Sequence, residues 1–193
     1  MAMKFNVPNA LTWMRIVMIP LFVGVYYVPA SWIDLSYPQK NLIATVLFTV
    51  AALTDLLDAY LARRLNQTSA FGAFLDPVAD KLMVAAALIV LVDLQRLDAI
   101  IAVIIIGREI TISALREWMA QLGATKGVAV SFIGKVKTVS QMVAIPMLLY
   151  HDALGPLQPQ RWGTWLILVA AALTLWSMFY YLKMALPTVL KHG

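Results

Sequence analysis

The 193-residue chain contains no cysteine. Disulfide bonds and thiolate metal sites are therefore excluded, and a bound metal would need oxygen ligands or one of the two histidines. Charged residues are scarce at 13% of the sequence, whereas apolar residues make up 62%. A soluble domain has roughly 45 to 50% apolar residues, so this composition excludes an ordinary soluble protein. Long basic runs are absent as well, which excludes nucleic acid as a favourable partner.

Long apolar segments fill the chain instead. Six of them approach the roughly 20 residues needed to cross a bilayer. Because backbone polar groups in lipid must pair within their own segment, and no alternating strand pattern occurs, helices are the expected form. We therefore expect an all-α polytopic membrane protein, a single domain over residues 1–193 with six transmembrane helices in one bundle. The expected spans are residues 10–28, 42–62, 77–94, 98–117, 132–150 and 163–185.

Lysine and arginine residues are distributed unevenly between the two ends of these spans. With the amino end inside, nine lie on the inner side and three on the outer side. Cytoplasmic loops carry an excess of Lys and Arg, so both termini are expected in the cytoplasm. The inner residues are Lys4, Arg63, Arg64, Arg116, Lys126, Lys135, Lys137, Lys183 and Lys191, and the outer residues are Lys40, Arg96 and Arg161.

Four aspartates interrupt the apolar pattern within one short stretch. Asp55 and Asp58 are three residues apart near the inner end of the second span, and Asp76 and Asp80 are four apart in the third. Each pair therefore shares one helix face. An aspartate at the bilayer centre costs about 2.5 to 3.5 kcal/mol, so all four are expected to face protein, water or metal. Polar residues 66–69 predict a turn that brings the two helices together antiparallel, with the acidic ends at the cytoplasmic rim.

Carboxylates in such a cluster repel one another, and divalent cations that prefer oxygen ligands neutralise them. Two magnesium or manganese ions can clamp a phosphoryl group between attacking and leaving oxygens. A structural ion-pair cluster is a weaker interpretation of four grouped aspartates. An ion or metabolite transporter also carries acids inside the membrane, but such proteins often show two related halves, whereas these acids lie in one hairpin.

The acidic stretch resembles the signature of the CDP-alcohol phosphotransferases, D-x2-D-G-x2-A-R-x8-G-x3-D-x3-D. Seven of its eight fixed positions agree, and the exception is Ala59, where the family has glycine. The segments FNVPNALTWMRIVMIP, GREITISALREWMA and IGKVKTVSQMVA extend the resemblance over nearly the full length, toward the bacterial phosphatidylglycerophosphate synthases. The agreeing positions are Asp55, Asp58, Ala62, Arg63, Gly72, Asp76 and Asp80.

The resemblance implies transfer of the phosphatidyl group of CDP-diacylglycerol to glycerol 3-phosphate, giving phosphatidylglycerophosphate and CMP in phospholipid biosynthesis. It also implies two Mg²⁺ or Mn²⁺ ions, a homodimer, and a bacterial inner membrane location with the active site cytoplasmic. The four aspartates are expected to hold the metals, and Asp80 is expected to act also as the general base. The residues expected to bind CDP-diacylglycerol are Asp58, Ala59, Ala62, Arg63, Gly72 and Asp76.

An anionic acceptor such as glycerol 3-phosphate needs basic side chains beside the metals. Arg108 is the first candidate, because a guanidinium inside an apolar run is costly unless it is functional, and the neighbouring Glu109 is expected on a different face. Lys135 and Lys137 are two residues apart, so one of them should face the site, and we expect Lys135.

Further acceptor candidates are Thr12, Arg116 and Lys137. Thr12 lies with Asn9 and Arg15 near the inner end of the first span, where these residues are positioned to close the pocket. For Arg116 and Lys137, simple flanking of a membrane span explains the charge equally well. The acidic hairpin would look similar with serine or inositol phosphate as acceptor, so glycerol 3-phosphate depends on the resemblance and on this basic pocket.

Overall fold

The computed structural model describes residues 7–65, 70–122 and 132–192, and the regular elements of these residues are six α-helices. The prediction of an all-α chain with six helices is thus confirmed. The last helix extends beyond the predicted sixth span at both ends. The helices are α1 (Val7–Tyr27), α2 (Tyr37–Leu65), α3 (Ala70–Asp93), α4 (Ala99–Gln121), α5 (Phe132–Tyr150) and α6 (Pro159–His192).

Helix α1 packs against both α2 and α3, whereas α2 and α3 contact each other only slightly over the described residues. The sequence predicted a hairpin in which these two acidic helices face each other directly. Instead α1 lies in the space between them, and its Phe22 is fully buried with Phe48 of α2 and Leu88 of α3 in the common core. The predicted turn at residues 66–69 lies outside the described residues.

Arg96 connects α2 and α5 at the end of the bundle opposite the four aspartates of the motif. Its Nη1 donates to the carbonyl oxygen of Leu149 at 2.7 Å, near the C-terminus of α5, and its Nη2 donates to Oδ1 of Asn41 in α2 at 2.8 Å. The buried Asn41 in turn donates to Asp152 at 3.2 Å. Since the last carbonyl groups of a helix lack partners within it, Arg96 satisfies one of them and fixes α5 relative to α2.

Two helices of the described ranges are long and apolar enough to cross a membrane by themselves, over Ala10–Tyr27 and Pro159–Leu186. The other helices interrupt their apolar runs with charged side chains, for example Asp80 and Lys81 in α3 or Arg108 and Glu109 in α4. The two apolar helices fit association with a membrane.

Gly163 of α6 packs tightly against α5, and these two helices are the most extensively packed pair in the described part of the chain. A methyl group there would lie 2.9 Å from Cγ of Leu148 and 3.2 Å from the carbonyl oxygen of Ala144. Because a backbone oxygen cannot turn aside, the helices would have to separate. Small residues permit such close backbone contact between membrane helices.

Gly163→Ala is therefore expected to lower the free energy of unfolding by about 1 to 2 kcal/mol, the cost of overpacking reduced by the higher helix propensity of alanine. Gly107→Ala is the matched control, because a methyl group at this glycine of α4 meets nothing within 4 Å. Thermal unfolding in detergent measures both. Equal midpoints for the two variants would contradict the tight α5–α6 contact.

Candidate active site

Three of the four predicted metal ligands converge on α1. The guanidinium of Arg15, 1% exposed, forms an ion pair with Asp55 of α2 at 3.1 Å and a second ion pair with Asp80 of α3. Thr12, also 1% exposed, donates a hydrogen bond to Asp76 of α3. Thr12 and Arg15 are three residues apart, and Asp76 and Asp80 four apart, so one face of each helix supplies these contacts.

A cavity of about 160 Å³ lies beside this cluster. Its polar walls include three carboxylates, two ammonium groups and an amide, from Asp55, Asp80, Glu109, Lys81, Lys137 and Gln141. The cavity therefore presents carboxylates and ammonium groups to the same small volume. Such a wall suits a ligand that carries both a reacting hydroxyl and an anionic group.

Of the two lysines of α5, Lys137 lines this cavity and Lys135 does not. Lys137 is 3% exposed and donates to Glu109 of α4, whereas Lys135 is exposed. The expectation that Lys135 faces the site is therefore wrong. Side chains two residues apart on a helix point in directions about 200° apart, so one lysine of the pair must point away from the cavity. Only the packing of α5 against its neighbours decides which one.

Glu109 also contacts Arg108, its neighbour in sequence, with Nη1 and Oε1 3.2 Å apart. Neighbouring residues of a helix point about 100° apart, and these two reach different helices, but their long side chains also bend toward each other. Arg108, 8% exposed, also donates to Ser177 of α6 at 3.2 Å. Arg108 is thus linked to the cavity through Glu109.

Arg116 lies away from the cavity, against α6. Its Nη2 donates to the hydroxyl of Tyr181 at 3.2 Å, and its guanidinium carbon is 5.2 Å from the centre of that ring. The guanidinium of Arg108 is 5.7 Å from the same ring. The two arginines therefore share one aromatic partner, a favourable cation–π arrangement.

The remaining predictions fall partly outside the described residues. The helix α2 continues through positions 58–63, but the side chains of Asp58, Ala59, Ala62 and Arg63 lie outside the described residues. Gly72 is buried in the first turn of α3. The predicted roles of these residues in binding the CDP-lipid stay predictions.

Sequence reasoning gave too little weight to two residues. Arg15 was expected only to help close the pocket, yet it pairs directly with two of the aspartates. Glu109 was assigned no place in the site, yet it lines the cavity and binds Lys137. The signal for both was available, since each is a charged side chain inside an apolar run, where an unpaired charge is costly.

Comparison with known proteins adds a decisive observation. The family model for CDP-alcohol phosphatidyltransferase matches residues 5–176. The chain belongs to this family. It is 48% identical over 189 residues to the CDP-diacylglycerol–glycerol-3-phosphate 3-phosphatidyltransferase of Escherichia coli strain K12, covering 95% of this chain and 96% of that protein. The proteins of the same name from Salmonella typhimurium and Salmonella typhi are each 47% identical over the same lengths.

Family membership makes the protein a phosphatidyltransferase, so the transporter alternative is set aside. CDP-alcohol phosphatidyltransferases generally use divalent metals, and the donor chemistry here fits, because Asp55, Asp76 and Asp80 offer the carboxylate oxygens that Mg²⁺ and Mn²⁺ prefer. Over the described part of the chain, no three acidic side chains form a preformed metal-binding group. Arg15 forms ion pairs with Asp55 and Asp80, and Thr12 donates a hydrogen bond to Asp76. The side chain of Asp58, the fourth predicted ligand, is not among those described.

Proposed function

We propose that the protein transfers the phosphatidyl group of CDP-diacylglycerol to glycerol 3-phosphate, which gives phosphatidylglycerophosphate and CMP in phospholipid biosynthesis. The observation that carries this proposal is the cavity lined by Asp55, Asp80 and Lys137. The cavity places carboxylates of the family motif beside a cation. The chain is nearly half identical to enzymes named CDP-diacylglycerol–glycerol-3-phosphate 3-phosphatidyltransferase.

The chemistry at this cavity is a substitution at phosphorus. A hydroxyl oxygen of the acceptor forms a bond to the phosphorus of the phosphatidyl group, the bond from that phosphorus to the bridging oxygen breaks, and CMP leaves. We assign the proton of the attacking hydroxyl to the carboxylate of Asp80. Divalent ions held by Asp55, Asp58, Asp76 and Asp80 would neutralise the pyrophosphate oxygens and acidify the hydroxyl.

On the lipid side, we assign the CDP-diacylglycerol contacts to residues of the motif. Gly72 lies at the start of α3, one helical turn before Asp76, and because it has no side chain we assign it to close contact between the backbone and the CDP-lipid beside a carboxylate of the cluster. Arg63 supplies a guanidinium suited to phosphate. The complete proposed set is Asp58, Ala59, Ala62, Arg63, Gly72 and Asp76.

On the acceptor side, we assign the phosphate of glycerol 3-phosphate to Lys137, with Arg108 behind it. Glu109 connects the two cations, since it bonds to Lys137 and lies 3.2 Å from Arg108. Thr12 is proposed to act by orienting Asp76, to which it donates. Lys135 and Arg116 remain part of the proposal only as outer charges that attract an anionic substrate.

We also place all six helices in the membrane, with both termini and the site on the cytoplasmic side of a bacterial inner membrane. Large apolar side chains are exposed on α3 and α4 as well as on α1 and α6, among them Leu82, Ile89, Ile100 and Val103. Exposed apolar surface on this scale is suited to lipid or to a protein partner. The excess of Lys and Arg on one side sets the orientation. A homodimer is proposed from the family resemblance.

The test is transfer of label from radiolabelled CDP-diacylglycerol to a panel of water-soluble acceptors by the purified protein. We expect labelled phosphatidylglycerophosphate with glycerol 3-phosphate, dependent on Mg²⁺ or Mn²⁺ and abolished by EDTA. Serine and inositol phosphate serve as competing acceptors in parallel reactions. Preferential labelling of either product would overturn the acceptor assignment, and transfer that is unaffected by EDTA would overturn the role of the metals.

Ala59 is the one departure from the motif, and it gives a separate prediction. The family glycine allows close approach of the nucleotide to the backbone, so Ala59→Gly is expected to lower the KM for CDP-diacylglycerol or to raise kcat. Steady-state kinetics with varied CDP-lipid measure both. Ala52→Gly, at a position about two turns earlier in α2, controls for a general effect of glycine on the helix. Unchanged kinetics would show that position 59 does not approach the nucleotide.

A further inference from the structure

Arg15 holds a position that the reaction chemistry described above does not use. Its guanidinium is 1% exposed and lies between Asp55 of α2 and Asp80 of α3. These two helices contact each other only slightly, while α1 packs against both of them. One cation from α1 therefore connects two carboxylates that belong to different helices.

The same carboxylates are the proposed ligands of divalent ions. A carboxylate oxygen that accepts from a guanidinium is partly neutralised, so its attraction for a second cation is weaker. Any interaction made in the absence of a ligand and lost when the ligand binds lowers the affinity for that ligand. Arg15 must move away from these oxygens, or share them, when a divalent ion binds.

We propose that Arg15 is the internal counter-cation of the carboxylate cluster and competes with the divalent ion for Asp55 and Asp80. Arg15 thereby stabilises the bundle when no ion is bound and weakens the affinity for Mg²⁺ and Mn²⁺. Binding of the ion would release Arg15 from two carboxylates near the cavity. This inference rests on the proposed metal-dependent function.

The test is direct binding of Mn²⁺ to the purified full-length protein in detergent, without substrates, for the wild type, Arg15→Met and Arg15→Lys. Methionine keeps the volume of the aliphatic part and removes the charge. We expect Arg15→Met to bind Mn²⁺ at least about tenfold more tightly, because a competing unit charge within hydrogen-bonding distance is gone. In the structure Nη1 of Arg15 contacts both carboxylates. Lysine keeps the charge but places it on a shorter, more flexible side chain that is more easily displaced, so an intermediate affinity is expected.

Thermal unfolding supplies a second readout. In EDTA, Arg15→Met is expected to unfold about 2 to 5 °C below the wild type, since the change leaves two half-buried carboxylates without their cation. Saturating Mn²⁺ should then raise the midpoint of the variant more than that of the wild type. Arg161→Met, at an exposed position of α6 distant from the cluster, is the matched control and should match the wild type in both measurements.

The outcomes separate this inference from the proposed function. If the wild type binds Mn²⁺ and transfers phosphatidyl groups while Arg15→Met binds Mn²⁺ equally or more weakly, Arg15 positions the carboxylates and does not compete, and the inference is overturned alone. If Arg15→Met cannot be purified, Arg15→Lys decides, and an unchanged or weaker affinity overturns the inference. A wild type that neither binds Mn²⁺ nor transfers overturns the proposed function together with it.

Discussion

Replacing Asp80 by asparagine is expected to lower phosphatidyl transfer by about a thousandfold or more, while CDP-diacylglycerol still binds. Asparagine has nearly the same shape but cannot accept the proton of the attacking hydroxyl, and positioned proton transfer alone contributes about 10² to 10⁴-fold. Asp80 lines the cavity and pairs with Arg15, and this cavity is the one to which we assign the acceptor. Single-turnover transfer and equilibrium binding of the CDP-lipid separate the two effects.

Asp93→Asn is the matched control for Asp80→Asn. Asp93 is an exposed aspartate at the far end of the same helix, where it accepts from the hydroxyl of Tyr27 at 2.8 Å. This variant should keep activity within about threefold of the wild type, because it changes no group near the cavity. Thermal unfolding checks that both variants fold. Residual activity of Asp80→Asn above one-tenth of the wild type would remove Asp80 from the role of general base.

The second large effect is expected at Lys137. Lys137→Met should raise the KM for glycerol 3-phosphate by about 10- to 100-fold, because a charge-assisted hydrogen bond to a phosphate contributes about 1.5 to 3 kcal/mol. Arg108 lies 3.2 Å from Glu109, so the carboxylate keeps a cationic partner in the variant. The KM for CDP-diacylglycerol should change much less, since we assign Lys137 to the phosphate of the acceptor and not to the CDP-lipid.

Lys135→Met is the internal control, because the two lysines lie in the same turn of α5 and differ in burial. Its KM for glycerol 3-phosphate should stay within about threefold of the wild type, as for a screened surface charge. Steady-state kinetics with varied glycerol 3-phosphate measure both variants. A larger effect at Lys135 than at Lys137 would contradict the acceptor site and restore the assignment favoured by sequence spacing alone.

The sequence by itself determined the helical class, the approximate helix limits and the acidic motif. Apolar runs of nearly bilayer length favour helices, because a helix pairs the backbone N–H and C=O groups within the same run. The motif is equally local, because the spacings from Asp55 to Asp58 and from Asp76 to Asp80 place each pair on one helix face whatever surrounds it. The family could therefore be inferred before any fold was available.

Only the tertiary structure decided which charged side chains meet. The insertion of α1 between α2 and α3 brought Arg15 to Asp55 and Asp80, and the rotation of α5 turned Lys137 toward Glu109. Periodicity fixes the angle between side chains on one helix, but it does not fix the rotation of that helix about its own axis. That rotation depends on packing with neighbouring helices, which involves residues far apart in the sequence.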